Sequence, residues 1–218
     1  MEKPSLTRPG RAILCAPTYG SNPCMQTPGI LILAAGLGSR FRQAGGTGHK
    51  LLAPYPDDNG VPQPLLKLTL QQAQRSGLPL LLIIRPEDRA IQQLAQQCGV
   101  ATCTIASAGS GESIAAGVRA TAHWHGWLIV PGDMAWVRAE DHQCVAQALR
   151  NGAPQVRLSW QNQPGHPVGF AAHYGAALAQ LQGDSGARAL LDPSILITLP
   201  AHQGTIRDAD LPRSGASR

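Results

Sequence analysis

The sequence predicts a three-layer α/β/α sandwich on a mostly parallel sheet, from three observations. Apolar runs suited to strands buried on both faces recur at 29–36, 78–85, 100–106 and 126–133. Amphipathic stretches of helical length separate them. Strands covered on both sides need helices as crossovers, and such crossovers make neighbouring strands parallel. The third observation is size: 218 residues, 43% of them hydrophobic, suffice to close one well-buried core around such a sheet.

Taken in order, "GILILAAG" (29–36) is the first strand. "PLLKLTLQQAQRSG" follows from Pro64 with Leu65, Leu66, Leu70 and Ala73 on one helical face and Gly77 as its stop. "LPLLLIIR" (78–85) is a strand, and "PEDRAIQQLAQQCG" (86–99) is a helix with Pro86 early and acids in its first turn. "VATCTIA" (100–106) is a strand, "ESIAAGVRATAHW" (112–124) a helix, "GWLIVPGD" (126–133) a strand, and "RAEDHQCVAQALRNG" (138–152) a helix ending at Gly152. The rhythm then changes. "PQVRLSW" (154–160) is a strand; "PGHPVGF", a short helix near "AALAQLQ", "GDSGARALL" and a last strand "ILITL" (195–199) form a mixed end suited to a substrate subsite. The expected organisation is a loosely attached or disordered leader over 1–28, a domain over 29–212 and a flexible tail over 213–218.

Composition excludes several classes. The net charge of +5 lies largely at the ends, leaving about +2 for the body, and no concentrated basic face with interleaved aromatics marks a nucleic-acid binder. The longest apolar run of the leader, "AILCA", is too short for a secretory or membrane-spanning segment. The five cysteines at 15, 24, 98, 103 and 144 lack metal or redox spacing, which points to reduced thiols and a cytoplasmic protein.

Ligands of such sheets bind beyond the carboxyl ends of the strands. Two segments lie there. After Leu33, Ala34 and Ala35, a loop carries Gly36 and Gly38, which let backbone N–H groups converge on phosphate oxygens, with Arg40, Arg42 and Lys50 adding charge. A dinucleotide fingerprint would need glycine where Phe41 stands, and a Walker loop would need Ser or Thr after Lys50, where Leu51 stands. A mobile surface loop is the competing use, and a loop lysine would contribute little packing. Asp133, behind Gly132 at the end of a buried strand, can hold Mg²⁺ together with substrate phosphates or simply cap the following turn.

Three further residues carry a chemical and a structural use each. Ser113 can meet a nucleotide or serve as an ordinary N-terminal helix residue. His166 in "GHP" can contact substrate or be a hydrogen-bonded structural histidine, and His49 is equally open. Arg188 can bind phosphate or pair with Asp184. "GDSGA" is similar to the nucleophile loop of chymotrypsin-like proteases, but those are all-β and usually disulfide-bonded, unlike this alternating chain.

"LAAGLGSRF" with Lys50, "GSGESIAAGVRA", "WLIVPGDM", "GHPVGF", "GDSGARALL" and "DADLP" occur in an order that resembles the molybdenum cofactor nucleotidyltransferases, in particular the cytidylyltransferases, over Gly29 to Pro212. The resemblance implies a fold of the nucleotide-diphospho-sugar transferase type. It also implies transfer of CMP from CTP to the phosphate of molybdenum-molybdopterin, with release of pyrophosphate. Arg40, Lys50 and Asp133 would be catalytic, and Leu33, Ala34, Ala35, Gly36, Gly38 and Ser113 would complete the nucleotide site. Mg²⁺ would sit on Asp133 with Asp208 or Asp210, and His166 and Arg188 would face the acceptor. A molybdoenzyme of the xanthine dehydrogenase type is the implied partner. The chain departs from the family at "DADLP", which lacks the usual following acids, at Ser110, where methionine is common, and at Ala135, which replaces a proline. The alternatives are use of GTP, another phosphorylated acceptor such as a sugar phosphate, and a non-catalytic cofactor carrier.

Overall fold

In the computed structural model, which describes residues 27–36, 48–106 and 109–209, the first apolar run becomes the middle of a sheet. It forms β1 (Gly29–Leu33), whose Ile30, Leu31 and Ile32 are completely buried because helices cover both faces. The chain continues through β2 (Pro54–Pro56), β3 (Pro62–Pro64), α1 (Leu65–Arg75), β4 (Leu80–Ile84), α2 (Arg89–Gln97), β5 (Thr102–Thr104), α3 (Ser110–Ala120) and β6 (Gly126–Pro131). Then come α4 (Ala139–Arg150), β7 (Gln155–Trp160), β8 (Gln163–Ala171), α5 (Gly175–Leu178) and β9 (Leu196–Pro200). Short 3₁₀ turns occupy Lys50–Leu52, Gly183–Ser185, Ala187–Leu190 and Gln203–Thr205.

The main sheet has seven strands in the order β5-β4-β1-β6-β8-β7-β9. β5, β4, β1 and β6 are parallel, β8 runs antiparallel to both β6 and β7, and β9 is parallel to β7. The expected three-layer, mostly parallel architecture is therefore the one observed. Residues of α1, α2 and α4 pack one face of the sheet, with Leu66, Leu70, Ile91, Leu94, Val145 and Leu149 against Ile30, Ile32 and Val156. Ile114 and Val118 of α3 and Leu178 of α5 pack the other, against Leu31, Ile83 and Ile129.

The differences from sequence expectation lie at element ends and in the Pro-rich stretch. The third helix stops at Ala120, not at Trp124: Thr121 leaves the helical conformation at φ −123° and ψ 34°, and its hydroxyl joins its N–H in bonding the carbonyl of Gly117. The second helix begins after Asp88, leaving Pro86 and Glu87 in the preceding turn. "PGHPVGF" is part of the long strand β8, which reverses the sheet direction. β2 and β3 pair across "DDNG", where the Asp57 carboxylate accepts N–H bonds from Asn59 and Val61. Among the described residues Cys98, Cys103 and Cys144 are free, and no helix is long and apolar enough to cross a membrane.

His142 on α4 gives the fold a pH dependence. It is 1% exposed, its Nδ1 finds no hydrogen-bond partner among the described residues, and burial lowers its pKa to about 4 despite the neighbouring Asp141. The unfolded chain, with its histidine near 6.5, takes up the proton first as pH falls. Stability from this residue is thus complete above pH 6.5 and is lost progressively down to about pH 4. The expected loss is about 3 kcal/mol. Denaturant titrations at pH 7 and pH 4.5 check it: His142→Leu should lose less stability over that interval than the parent, and an equal loss in both rejects this source.

Candidate functional site

β1 and β6 are adjacent and parallel, with Leu33 in register with Pro131, so the segments after them leave the same edge side by side. Two ladder-like bonds continue past the strands: the N–H of Ala34 donates to the Ile83 carbonyl and that of Gly132 to the Leu33 carbonyl. Arg85, one residue past β4, donates its Nε–H to the carbonyl of Ala35 at 2.8 Å while its Nη1 holds Glu87 at 2.9 Å. The backbone of Ala34 and Ala35 is therefore fixed at the strand edge, and Gly36 follows it, exposed, with no atom of the described residues near its Cα on the side where a Cβ would stand. Gly132 is anchored from below by the Thr69 hydroxyl, which donates to its carbonyl at 2.9 Å.

Asp133 projects from this edge, and its carboxylate meets the ammonium of Lys50 at 2.6 Å. The side chains are 17% and 10% exposed respectively, so the pair is only thinly solvated. Lys50 lies in the 3₁₀ turn that His49 starts, where His49 Nδ1 accepts from the Leu51 N–H and Nε2 lies 3.7 Å from Asp88. Two expectations change here. Lys50 is a buried, paired residue, not a loosely packed loop lysine, and the Asp133 carboxylate serves Lys50 and not a turn cap. His49 is accounted for by the turn it builds.

Beside this pair a cavity of about 460 Å³ opens under the 183–191 segment. Leu33 and Pro131, the last residues of β1 and β6, line its near end, and Ile114, Ile129, Val168 and Leu191 make it largely apolar. Its polar groups are Arg157, His166, Asp184 and Arg188 together with the serines Ser110 and Ser185. The covering segment is held down by close approach to α3: a Cβ on Gly109 would collide with the backbone of Gly183, and Ser110 donates its hydroxyl to the Asp184 carbonyl at 3.3 Å. His166 is part-buried, and its Nδ1 finds no hydrogen-bond partner among the described residues. Burial lowers its pKa, opposed by the backbone of Ile129 and the charge of Asp133, which favours a neutral imidazole within electrostatic reach of Asp133.

The fold brings Leu33, Ala34, Ala35, Gly36, Lys50 and Asp133 to one edge, and places His166 and Arg188 in the adjoining cavity. No ion pair joins Arg188 to Asp184, although both line that cavity. Ser113 is buried at 3% exposure inside α3, its hydroxyl bonded to the Gly109 carbonyl at 3.1 Å, and does not line the cavity. Asp208 is exposed near the end of the described chain, after Arg207, whose guanidinium stacks 3.8 Å over the Trp136 ring. Gly38, Arg40, Arg42 and Asp210 lie outside the described residues. Sequence reasoning missed Arg85 and Arg157. The signal for Arg85 was its place just past a buried strand on the edge already singled out; Arg157, a charged residue between Val156 and Leu158 in a strand, offered no signal of its own.

Several solved structures are similar to this chain. Rv0371c of Mycobacterium tuberculosis aligns with a TM-score of 0.69 and 21% identity over 85% of this chain and 93% of that one. A second structure of Rv0371c is a complex with manganese, aligning with a TM-score of 0.65 and 20% identity over 81% and 89%. A nucleotidyl transferase from Methanothermobacter aligns with a TM-score of 0.67 and 19% identity over 82% and 88%. The 4-diphosphocytidyl-2C-methyl-D-erythritol synthase of Anaerococcus prevotii aligns with a TM-score of 0.62 and 16% identity over 86% and 93%. These likenesses show a shared fold. The curated proteins contain no significant sequence match. At the level of families, residues 30–202, which hold all of β1 but Gly29, the Lys50–Asp133 pair and the whole cavity, match the MobA-like NTP transferase domain, and the chain belongs to that family of nucleotide transferases.

Proposed function

We propose that the protein transfers CMP from CTP to the phosphate of molybdenum-molybdopterin and releases pyrophosphate. The observation that carries this is the placement of a fixed glycine-containing backbone, a buried Lys50–Asp133 pair and a largely apolar cavity along one strand edge. Backbone N–H groups after Ala35 and the Lys50 ammonium, with Arg40, bind and neutralise the triphosphate. The cavity, of a size that suits a small molecule, holds the acceptor body, with His166 and Arg188 as its polar contacts. The acceptor phosphate is already an anion, so no protein group has to remove a proton. Catalysis by this chain is positioning and charge neutralisation.

A divalent cation fits the donor set. Asp133 offers one hard carboxylate at the edge where phosphates would gather, and among the described residues no cluster of three acidic, His or Cys side chains forms a closed cage. That suits Mg²⁺, which is commonly held by one or two carboxylates with substrate phosphates completing its shell. Asp133, with Asp208 or Asp210, would hold it, and it would supply charge neutralisation at the transferring phosphorus. That a structure of the similarly folded Rv0371c is a complex with manganese supports use of a divalent ion.

The choice of CTP rests on the resemblance, in which a loop beginning with Leu33-Ala34-Ala35-Gly36 goes with cytidine use; the Ala35 side chain would narrow the space available to a purine. Incubation with each triphosphate, Mg²⁺ and isolated molybdenum cofactor, followed by mass determination of the product, tests the whole reading. The expected product carries CMP, with kcat/KM for CTP above that for GTP. GTP turnover equal to or better than CTP removes the base assignment, and transfer only to a sugar phosphate removes the acceptor. A xanthine dehydrogenase-type molybdoenzyme is the recipient this reaction would serve, in the cytoplasm.

A further inference from the structure

Arg157 sits where the sheet pattern calls for an apolar residue. The register aligns Leu31 with Ile129, Ile129 with Val168, and Val168 with Arg157, so one row crosses β1, β6, β8 and β7 on the cavity side. The first three are apolar, and Leu31 and Ile129 are core residues of that face. Val156 and Leu158, on either side of Arg157, point into the opposite core, so Arg157 belongs to the cavity face by alternation. Its Nε is shut off from solvent and has no hydrogen-bond partner among the described residues. A buried guanidinium N–H without a partner is unfavourable for folding, and an aliphatic residue would simply extend the row. The arginine is therefore explained by what enters the cavity.

We propose that Arg157 is the distal anchor of the acceptor subsite and recognises a planar edge bearing two hydrogen-bond acceptors, of which a carboxylate is the simplest. Nε–H and a neighbouring Nη–H form a fork that matches such an edge with two parallel bonds. β7 lies two strand spacings from β6, about 10 Å across the sheet. The anchor thus grips the acceptor at the end away from the phosphate, while the apolar row of Ile129 and Val168 supports the body between. The inference rests on the nucleotidyl-transfer reading only for which end of the acceptor is the near one. It adds that the acceptor is bifunctional: a phosphate alone, or a phosphate on a purely apolar body, is a poor ligand.

Calorimetric titration with phenyl phosphate and 4-carboxyphenyl phosphate tests the anchor without turnover. The parent should bind the carboxylated probe at least ~10-fold more tightly, as expected for a charge-assisted bidentate contact. Arg157→Leu should erase that preference while keeping the parent's melting temperature or exceeding it, and Arg157→Lys, a point charge without the fork, should retain part of it. Equal affinity of the parent for both probes, no measurable binding of the carboxylated one, or a preference that survives Arg157→Leu overturns the proposal. A parent that shows the preference yet transfers no nucleotide loses the nucleotidyl reading and keeps the anchor.

Discussion

Asp133→Asn should lose about 1,000-fold or more of its Mg²⁺-dependent pyrophosphate release, because an amide cannot hold a hard cation against phosphates as a carboxylate does; a loss of that size corresponds to about 4 kcal/mol of transition-state stabilisation. The same substitution should also lower the melting temperature. Were Asp133 only a turn cap, Asn would keep the stability, since it has the same shape; instead the carboxylate faces the Lys50 ammonium at 2.6 Å, and both side chains are thinly solvated. Replacing the carboxylate takes the charge at 2.6 Å away from a nearly buried ammonium, at a cost of about 3 kcal/mol, the lower end for breaking a buried pair. Denaturant unfolding and pyrophosphate release on the same preparation measure both effects. A variant that turns over like the parent removes Asp133 from the mechanism. One that keeps the parent's stability shows the pair to be better solvated than its exposure indicates.

The sheet was legible because its evidence is local. Ile30 to Leu33, Leu80 to Ile84 and Trp127 to Val130 are uninterrupted apolar runs, and helical spacing in Leu65, Leu66, Leu70 and Ala73 marks one buried face. The edge holding Gly36 and Asp133 followed from strand direction alone. The β2–β3 pair was not legible, since its strands are three residues long and each begins and ends in proline, which cannot donate to a ladder. The Lys50–Asp133 contact joins residues 83 apart in sequence, and no local pattern encodes such a distance. Arg157 was hidden for a different reason. In an alternating strand a charged residue between two apolar ones normally faces water, and only the 183–191 segment folding over that face turns it into the wall of a cavity.

Lys50 carries the second large effect, and it separates structure from chemistry when combined with Asp133. Loss of a charge-assisted contact to the triphosphate in Lys50→Met should lower kcat/KM by about tenfold to 150-fold, corresponding to ~1.5 to 3 kcal/mol. Methionine fills much of the space of a side chain that is 10% exposed, so packing is largely kept, and the Asp133 carboxylate, at 17%, retains some hydration. The stability loss should accordingly be about 1 to 2 kcal/mol, smaller than for Asp133→Asn, where the stranded charge is the deeper one. The double variant Lys50→Met/Asp133→Asn has no stranded charge at all. Its stability should recover above that of Asp133→Asn alone, with a coupling of about 2 to 3 kcal/mol between the two positions, while its activity stays as low as that of Asp133→Asn. Recovery of stability without recovery of turnover assigns the pair a structural role in the folded chain and a separate role on the triphosphate. Additive stabilities would mean that the 2.6 Å contact contributes nothing to folding, and full activity of Lys50→Met would leave the triphosphate to the loop backbone and Arg40.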